Sequence, residues 1–422
     1  TSGLREQWDL LRLAGWRDPD LKTTADILEL VSRQTAVNFP PGQRFQYINT
    51  AYTLIAVAIE RITGETLRAC AERLIFRPLG MTRTFFLDDA SEIIPGRAQA
   101  YGVRRSGRMG INVPNFETVG PTNLHTTVRD IASWERNLVN PIVGDDELFL
   151  TATTPGRFRE GAATDYGFGL IIGHHGAHAA VEHAGGDAAF RAYYLRIPRE
   201  RFAVAILANV MEVGPGRIAR HIIDICLPQP NGRPAETHTP PLDAKLPDLQ
   251  RVSGWYRHAD SGLTCRVEPR GGRLFLDSNG ASYELLATGG IGFRFLDLDV
   301  QVSFDLPNSG PASLMSVRSG GNTTNVCARM DLDAEQEAAP LEEYQGRYAC
   351  SDLDVTYTVT AAQDMLKMRG PRGMLIRLRR ISGDGFAAMD TTLDVQFQRD
   401  DGRISGYLLS SERAWNIGFR RT

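Results

Sequence analysis

Along the first part of the chain, apolar positions recur at helical spacing. Thr24-Ala25-Asp26 opens a segment with Ile27, Leu28, Leu30 and Val31 on a helical period. From Ala51 to Arg61 the pattern repeats at Leu54, Ile55, Ala58 and Ile59. Thr63-Gly64 closes it, since glycine tolerates the left-handed cap position. Thr66 starts a further helix that runs to Ile75, and residues 1 to about 92 read as helical overall. Thr127-Val128-Arg129-Asp130 has the form of a capping box opening a helix to Asn137. The texture then changes. Residues 166–172, 179–183, 190–197 and 202–208 read as four consecutive strands, and residues 215–226 as a closing helix.

Residues 228–247 are rich in proline and poor in large apolar side chains, so this stretch cannot build a core and reads as a linker. The C-terminal remainder is all-β in texture, with short alternating runs and turn dipeptides at Gly271-Gly272, Asn279-Gly280 and Asp401-Gly402. It also repeats itself. Gly254, Tyr256, Asp260, Leu263, Thr264, Val267 and Leu274 recur as Gly346, Tyr348, Asp352, Val355, Thr356, Val359 and Leu366, each pair 92 positions apart. The repeat predicts two copies of a small antiparallel β module of about 80–90 residues. The expected organisation is an α/β portion over 1–228, a linker over 229–247, and antiparallel β modules over 248–335 and 341–422.

Length agrees with several domains, since 422 residues at about 150 each gives two to four. A net charge of -3 supplies no general pull toward nucleic acid or anionic lipid. No apolar run approaches the roughly 18 residues of a spanning helix. The five cysteines, Cys70, Cys226, Cys265, Cys327 and Cys350, are scattered and lack metal-binding spacing. They argue against a disulfide scaffold and lean toward a reducing, cytoplasmic-type compartment.

Two places could carry chemistry. Phe39-Pro40-Pro41-Gly42 leads into Phe45-Gln46-Tyr47-Ile48-Asn49 and then a helix. Tyr47 and Asn49, two apart on a turn, can point into one cleft. A tyrosine acts as a general base when a neighbouring cation lowers its pKa; equally, its hydroxyl can simply cap a loop. The second place is Glu182-His183-Ala184-Gly185-Gly186. Two glycines after a histidine weaken a strand but let a ligand backbone approach. An edge strand there could pair with a substrate and donate to an oxyanion. A hairpin turn with an incidental histidine is the other reading.

Taken together these stretches resemble the penicillin-binding-protein and class C β-lactamase type of serine hydrolase. The matching segments are Thr1-Ser2-Gly3-Leu4, Phe39-Pro40-Pro41-Gly42 with Tyr47-Ile48-Asn49, and residues 75–82. They continue with residues 124–130, Tyr166-Gly167-Phe168-Gly169-Leu170 and His183-Ala184-Gly185-Gly186. Within that family the chain looks most like the D-aminopeptidases, which carry His where β-lactamases carry Lys in the third motif and have two antiparallel β-barrels after the catalytic domain. The resemblance implies an acyl-enzyme mechanism without a cofactor. It implies Tyr47 as acid/base, Asn49 as substrate positioner, His183 in the third-motif role, and Gly185 and Gly186 lining the cleft, with Gly186 offering an oxyanion N–H.

The family's first motif, Ser-x-x-Lys, is not found: the three lysines, Lys22, Lys245 and Lys367, have Pro19, Leu242 and Asp364 three residues before them. In the family that motif precedes the T-S-G-L stretch. The sequence is therefore expected to lack an N-terminal segment that holds the nucleophile, and to be nearly inactive by itself. A basic loop, Met368-Arg369-Gly370-Pro371-Arg372-Gly373-Met374, matches the loop that reaches toward the active site in D-aminopeptidases. Arg369 or Arg372 there would favour a substrate with an anionic group; a solvated basic surface loop is the alternative. Of His174, His175, His178 and His183, the first three are placed at a hairpin tip by Gly173 and Gly176, with no acidic partner nearby in sequence, so no metal is expected. The expected partner is a small peptide, amide or ester substrate, with a homodimer left open and neither nucleic acid nor a membrane span anticipated. A β-lactamase-like esterase or DD-peptidase, and a non-catalytic ligand-binding relative, stand as alternatives.

Overall fold

The structure is a computed structural model. It describes residues 1–103, 107–227, 249–259, 261–278, 281–289, 291–295, 300–319, 323–330 and 339–422. The expected linker at 229–247, the Asn279-Gly280 turn and Asp260 of the repeat lie outside the described residues. The chain forms two compact units. One contains Thr1–Arg17, Ala25–Thr50 and Pro240–Thr422; the other contains Asp18–Thr24 and Ala51–Thr239.

Helices come first: α1 (Gln7–Leu13), α2 (Thr24–Ser32), α3 (Thr50–Thr63), α4 (Leu67–Ala71), α5 (Val128–Val139), α6 (Asp146–Ala152) and α7 (Pro215–Cys226). Several begin where the sequence supplies a cap. Thr66 Oγ1 accepts the Ala69 N–H at 3.2 Å, and α4 passes into a π-helical turn over Glu72–Phe76. Thr127 Oγ1 accepts the Asp130 N–H at 3.2 Å. The expected capping box is only half formed. The Asp130 carboxylate turns away to accept the Arg83 N–H and the Thr84 hydroxyl, each at 2.8 Å. It therefore ties α5 to the segment before it.

Two short ladders pair β1 (Phe85–Phe86) with β4 (Leu124–His125) and β2 (Tyr101–Val103) with β3 (Met109–Ile111). The main sheet of the second unit is antiparallel, in the order β5 (Ile171–His175), β6 (His178–Asp187), β7 (Phe190–Ile197), β8 (Phe202–Ala208). Side chains alternate faces along each strand. One face buries Ala180, Leu195, Ile197 and Val204 against Ala219 and Ile223, which lie one helical turn apart on α7. On the other face Arg196 Nε meets the α5 residue Glu135 at 2.8 Å, and the Tyr194 hydroxyl donates to the same carboxylate.

One strand boundary departs from expectation. Residues 166–170 do not extend but fold into a turn, with Gly167 N–H bonded to the Leu170 carbonyl at 2.8 Å and Gly169 at φ 72°. Phe168 is left exposed, and β5 begins only at Ile171. Conversely β6 does not stop at the glycines. Gly185 pairs with Ala192 and Gly186 with Arg191, because β7 supplies a continuous partner.

The C-terminal portion holds two closed antiparallel barrels; the repeat predicts two antiparallel β modules, and the resemblance implies that they are barrels. After a short helix, α8 (Leu249–Val252), come β9 (Gly254–His258), β10 (Thr264–Arg270), β11 (Arg273–Ser278), β12 (Ala281–Gly289), β13 (Gly292–Phe295), β14 (Val300–Asp305), β15 (Leu314–Ser319) and β16 (Thr323–Arg329). The first barrel closes where β9 pairs with both β10 and β16. The second runs β17 (Gly346–Cys350), β18 (Val355–Ala362), β19 (Met365–Arg369), β20 (Leu375–Ser382), β21 (Gly385–Ala388), β22 (Leu393–Asp400), β23 (Arg403–Ser411) and β24 (Ile417–Arg421). It closes where β17 pairs with β18 and β24.

The 92-residue offset is physical. Gly254 and Gly346 sit at φ 153° and 155°, and a Cβ there would meet Arg329 and Arg421 side chains at 2.8 and 2.9 Å. Tyr256 and Tyr348 donate their buried hydroxyls to the carbonyls of Val252 and Tyr344, at 2.8 and 2.7 Å. Each of these four contacts maps onto its counterpart at the same spacing.

Candidate functional site

The Tyr47–Asn49 turn lies in the first unit and leads to Thr50, the first residue of α3, which two buried hydrogen bonds fix. Thr50 Oγ1 donates to the Arg5 carbonyl at 2.7 Å and accepts the Gln7 N–H at 2.8 Å. Asn49 is gripped twice by one carboxylate: Glu6 Oε2 accepts its backbone N–H at 2.6 Å and Glu6 Oε1 accepts its side-chain amide at 2.8 Å. Glu6 itself is the N-cap of α1 and is completely buried. Burial holds its carboxyl pKa above the ordinary carboxylate value, and Arg413 and the two bonds from Asn49 pull it only part of the way back. With both oxygens occupied, the Asn49 carbonyl oxygen is oriented by its own amide group. Tyr47 remains 40% exposed. Its backbone carbonyl accepts Arg413 Nη1 at 3.4 Å.

His183 lies in the second unit, on β6. Its Nδ1 is 2.6 Å from the Ala184 carbonyl, which can only accept, so the proton sits on Nδ1. Nε2 then accepts a hydrogen bond from the Tyr166 hydroxyl at 2.9 Å, with the two rings edge to face at 6.1 Å. Burial lowers the imidazole pKa, against smaller raising effects from Ala184 and Glu182. The ring is therefore neutral near pH 7, where a lysine in the same place would be a cation. Strand β5 pairs with β6 only as far as Glu182. Among the described strands, β7 alone pairs with His183 through Gly186, and both glycines are exposed. Along such a half-paired antiparallel strand, alternate backbone groups point away from the partner.

Arg369 and Arg372 belong to the first unit. Arg369 is exposed at the end of β19. Arg372 sits in the turn to β20 at φ 53°, with its guanidinium 5.0 Å from the Trp16 ring centre. That turn leans on the end of α1: a Cβ on Gly15 would lie 2.7 Å from the Pro371 ring.

The structure thus brings Tyr47 to Asn49, and His183 to Gly185 and Gly186, each group within its own unit. Sequence reasoning did not find Glu6 and Arg413, which reach Asn49 and Tyr47 from 43 and 366 residues away. Tyr166 lies inside one of the family-like segments, which assigned it no role. Of the other histidines, His175 does have an acidic partner, Asp224 on α7, at 2.6 Å. Only the fold reveals that pair. Among the described residues no three His, Cys, Asp or Glu side chains gather as a metal site.

The family profile described as Beta-lactamase matches residues 1–225. A D-aminopeptidase from Gluconobacter oxydans is 26% identical over 354 residues, which is 84% of this chain and 64% of that protein. A D-aminopeptidase from Brucella anthropi is 27% identical over 228 residues, 54% of this chain and 43% of its own length. The chain thus spans less than two thirds of the curated relatives it matches. The solved structure of an octameric penicillin-binding protein homologue from Pyrococcus abyssi aligns with a TM-score of 0.47 at 20% identity. The alignment covers 75% of this chain and 73% of that one.

Proposed function

The chain belongs to the beta-lactamase family, and from that premise we propose that the whole protein is a serine hydrolase. It cleaves amide bonds of small peptides or amino-acid amides through an acyl-enzyme, as a D-aminopeptidase would. The supporting observation is the Tyr47–Asn49 turn, a partly exposed tyrosine two residues from an amide that a buried carboxylate holds in one orientation.

The roles follow from the chemistry of acyl transfer. The hydroxyl of a Ser-x-x-Lys serine adds to the substrate carbonyl. Tyr47, working with the motif lysine, takes the hydroxyl proton and passes it to the leaving amine. Water then repeats the cycle on the ester. Asn49 orients the substrate amide. The half-paired segment His183–Gly186 lies along the substrate, and the Gly186 N–H donates to the oxyanion. His183, neutral, acts as a hydrogen-bond partner and not as a fixed positive charge.

No Ser-x-x-Lys occurs among the 422 residues, so activity requires that segment from outside them. The test is hydrolysis of a D-alanyl anilide by protein that includes it. Tyr47→Phe should lower the rate by about 10²–10⁴; an unchanged rate would exclude the acid/base role. A further reading is that the substrate carries an anionic group, which exposed Arg369 would pair with. Arg372→Glu, with Arg369→Glu beside it, should then shift preference away from acidic substrates, and identical preference would end that idea.

A further inference from the structure

The last turn of the second barrel, between β23 and β24, is bound into the Tyr47–Asn49 turn by contacts that barrel closure does not require. The Arg413 carbonyl accepts the Glu6 N–H at 3.0 Å and the Asn38 side-chain amide at 2.9 Å. The Arg413 N–H and the Ser411 hydroxyl both donate to Asp9 Oδ2, at 2.8 and 2.9 Å. The Arg413 guanidinium reaches further in. Its Nη1 lies 3.4 Å from the Tyr47 carbonyl and 3.8 Å from Glu6 Oε2. It is thus placed between the backbone of the phenol-bearing residue and the carboxylate that grips Asn49.

We propose that Arg413 is a positioning residue for the Tyr47–Asn49 turn, holding Tyr47 by its carbonyl and keeping Glu6 ionised so that Asn49 stays gripped at two points. The proposal rests on the reading of Tyr47 and Asn49 given above. The physical need is plain. A fully buried carboxylate is costly to keep charged without a cation. A protonated Glu6 must place a proton on one oxygen, and that oxygen becomes a much weaker acceptor, so one of the two bonds from Asn49 is weakened. The Asn49 amide would then turn, and the phenol would lose its fixed distance to the substrate. A displacement of about 1 Å at such a group is worth as much as 10²-fold in rate. Charged groups facing Glu6 are Arg413 from the barrel turn and Asp9 from its own helix, the first favouring and the second opposing ionisation.

The working form has Glu6 ionised, so activity is lost as pH falls through the Glu6 pKa. Removing Arg413 raises that pKa and moves the acid limb of the rate profile to higher pH. The test uses protein supplied with the Ser-x-x-Lys segment and compares Arg413→Met with Arg413→Lys. The Met variant should lose about tenfold or more in kcat with KM changed much less, and its acid limb should move up. The Lys variant should restore the limb to its original position. A Met variant that is active with an unmoved limb and native kcat would overturn the proposal while leaving the hydrolase reading intact. If no hydrolysis is seen with any variant, the 422-residue chain still decides the matter through its asparagine amide NMR signals. The Asn49 side-chain and backbone signals should titrate with one carboxyl, at higher pH in Arg413→Met than in the native chain. Identical titrations would overturn the proposal.

Discussion

The two barrels share strand order, closure and the Gly–Tyr–Arg arrangement at a common spacing, yet they are used differently. The first keeps its core to itself: Val252, Tyr256, Val267, Leu274, Phe293 and Phe304 belong to a cluster drawn from the one module. The core of the second is continuous with the N-terminal helices, so that Leu10, Leu11, Leu13, Ile27 and Leu30 belong to one cluster with Tyr348, Tyr357, Leu366 and Phe419. A single position makes the point. Tyr357 sends its hydroxyl to the Leu13 carbonyl at 2.6 Å, whereas 92 residues earlier the same place holds Cys265, buried and unable to reach that far. The turn that carries Glu412-Arg413-Ala414-Trp415 corresponds in sequence to Gly320-Gly321-Asn322-Thr323. Duplication preserved what closes a barrel; divergence went into what the second barrel touches.

The strongest way to break this contrast is to cut into the shared core. Leu10→Ala should cost about 2–5 kcal/mol and should loosen strands of the second barrel, as read by amide hydrogen exchange. Val267→Ala should instead loosen only the first. Unchanged protection of β18 and β24 in Leu10→Ala would mean the core is not shared. A smaller effect comes from Asp394 on β22, whose buried carboxyl is pushed up to about 7 by burial, against bonds from Thr264 on β10 and the charge of Arg257. Its folded pKa lies above its unfolded value. Its stabilising contribution is therefore complete below about pH 4 and is lost as pH rises through about 7, by an amount on the order of 1–3 kcal/mol. Asp394→Asn should flatten the fall in melting temperature over that range, and an unaltered slope would assign it elsewhere. Smallest are the paired tyrosines. Tyr256→Phe and Tyr348→Phe each remove one buried hydrogen bond and should each cost about 0.5–1.5 kcal/mol. Clearly unequal costs would show that the repeat is not equivalent in energy.

Much of the architecture was legible in the chain because it depends on local rules. The strands Phe190–Ile197 and Phe202–Ala208 and the helix Pro215–Cys226 fall where period and breakers put them. The seven paired positions of the repeat announced two antiparallel β modules, and the family resemblance added that each is a barrel. What was hidden depends on distance. Residues 166–170 alternate like a strand, but Gly167 and Gly169 let them turn instead. Gly185 and Gly186 read as an interruption, and only the presence of β7 carries the strand through them. At the candidate site, Tyr47, Asn49 and His183 stood out by residue type and order. Glu6 and Arg413 did not, since an ordinary glutamate and arginine gain meaning only from burial and from partners far along the chain.

The claim on which the functional account rests is that the nucleophile is a serine outside these 422 residues, serving Tyr47 and Asn49. Intact-mass spectrometry after brief exposure to a slowly released acylating substrate tests it most directly. Protein supplied with the Ser-x-x-Lys segment should gain one acyl group, located on that segment, and the 422-residue chain alone should gain none. An acyl group carried by the 422-residue chain by itself, or none in either sample, would contradict the account.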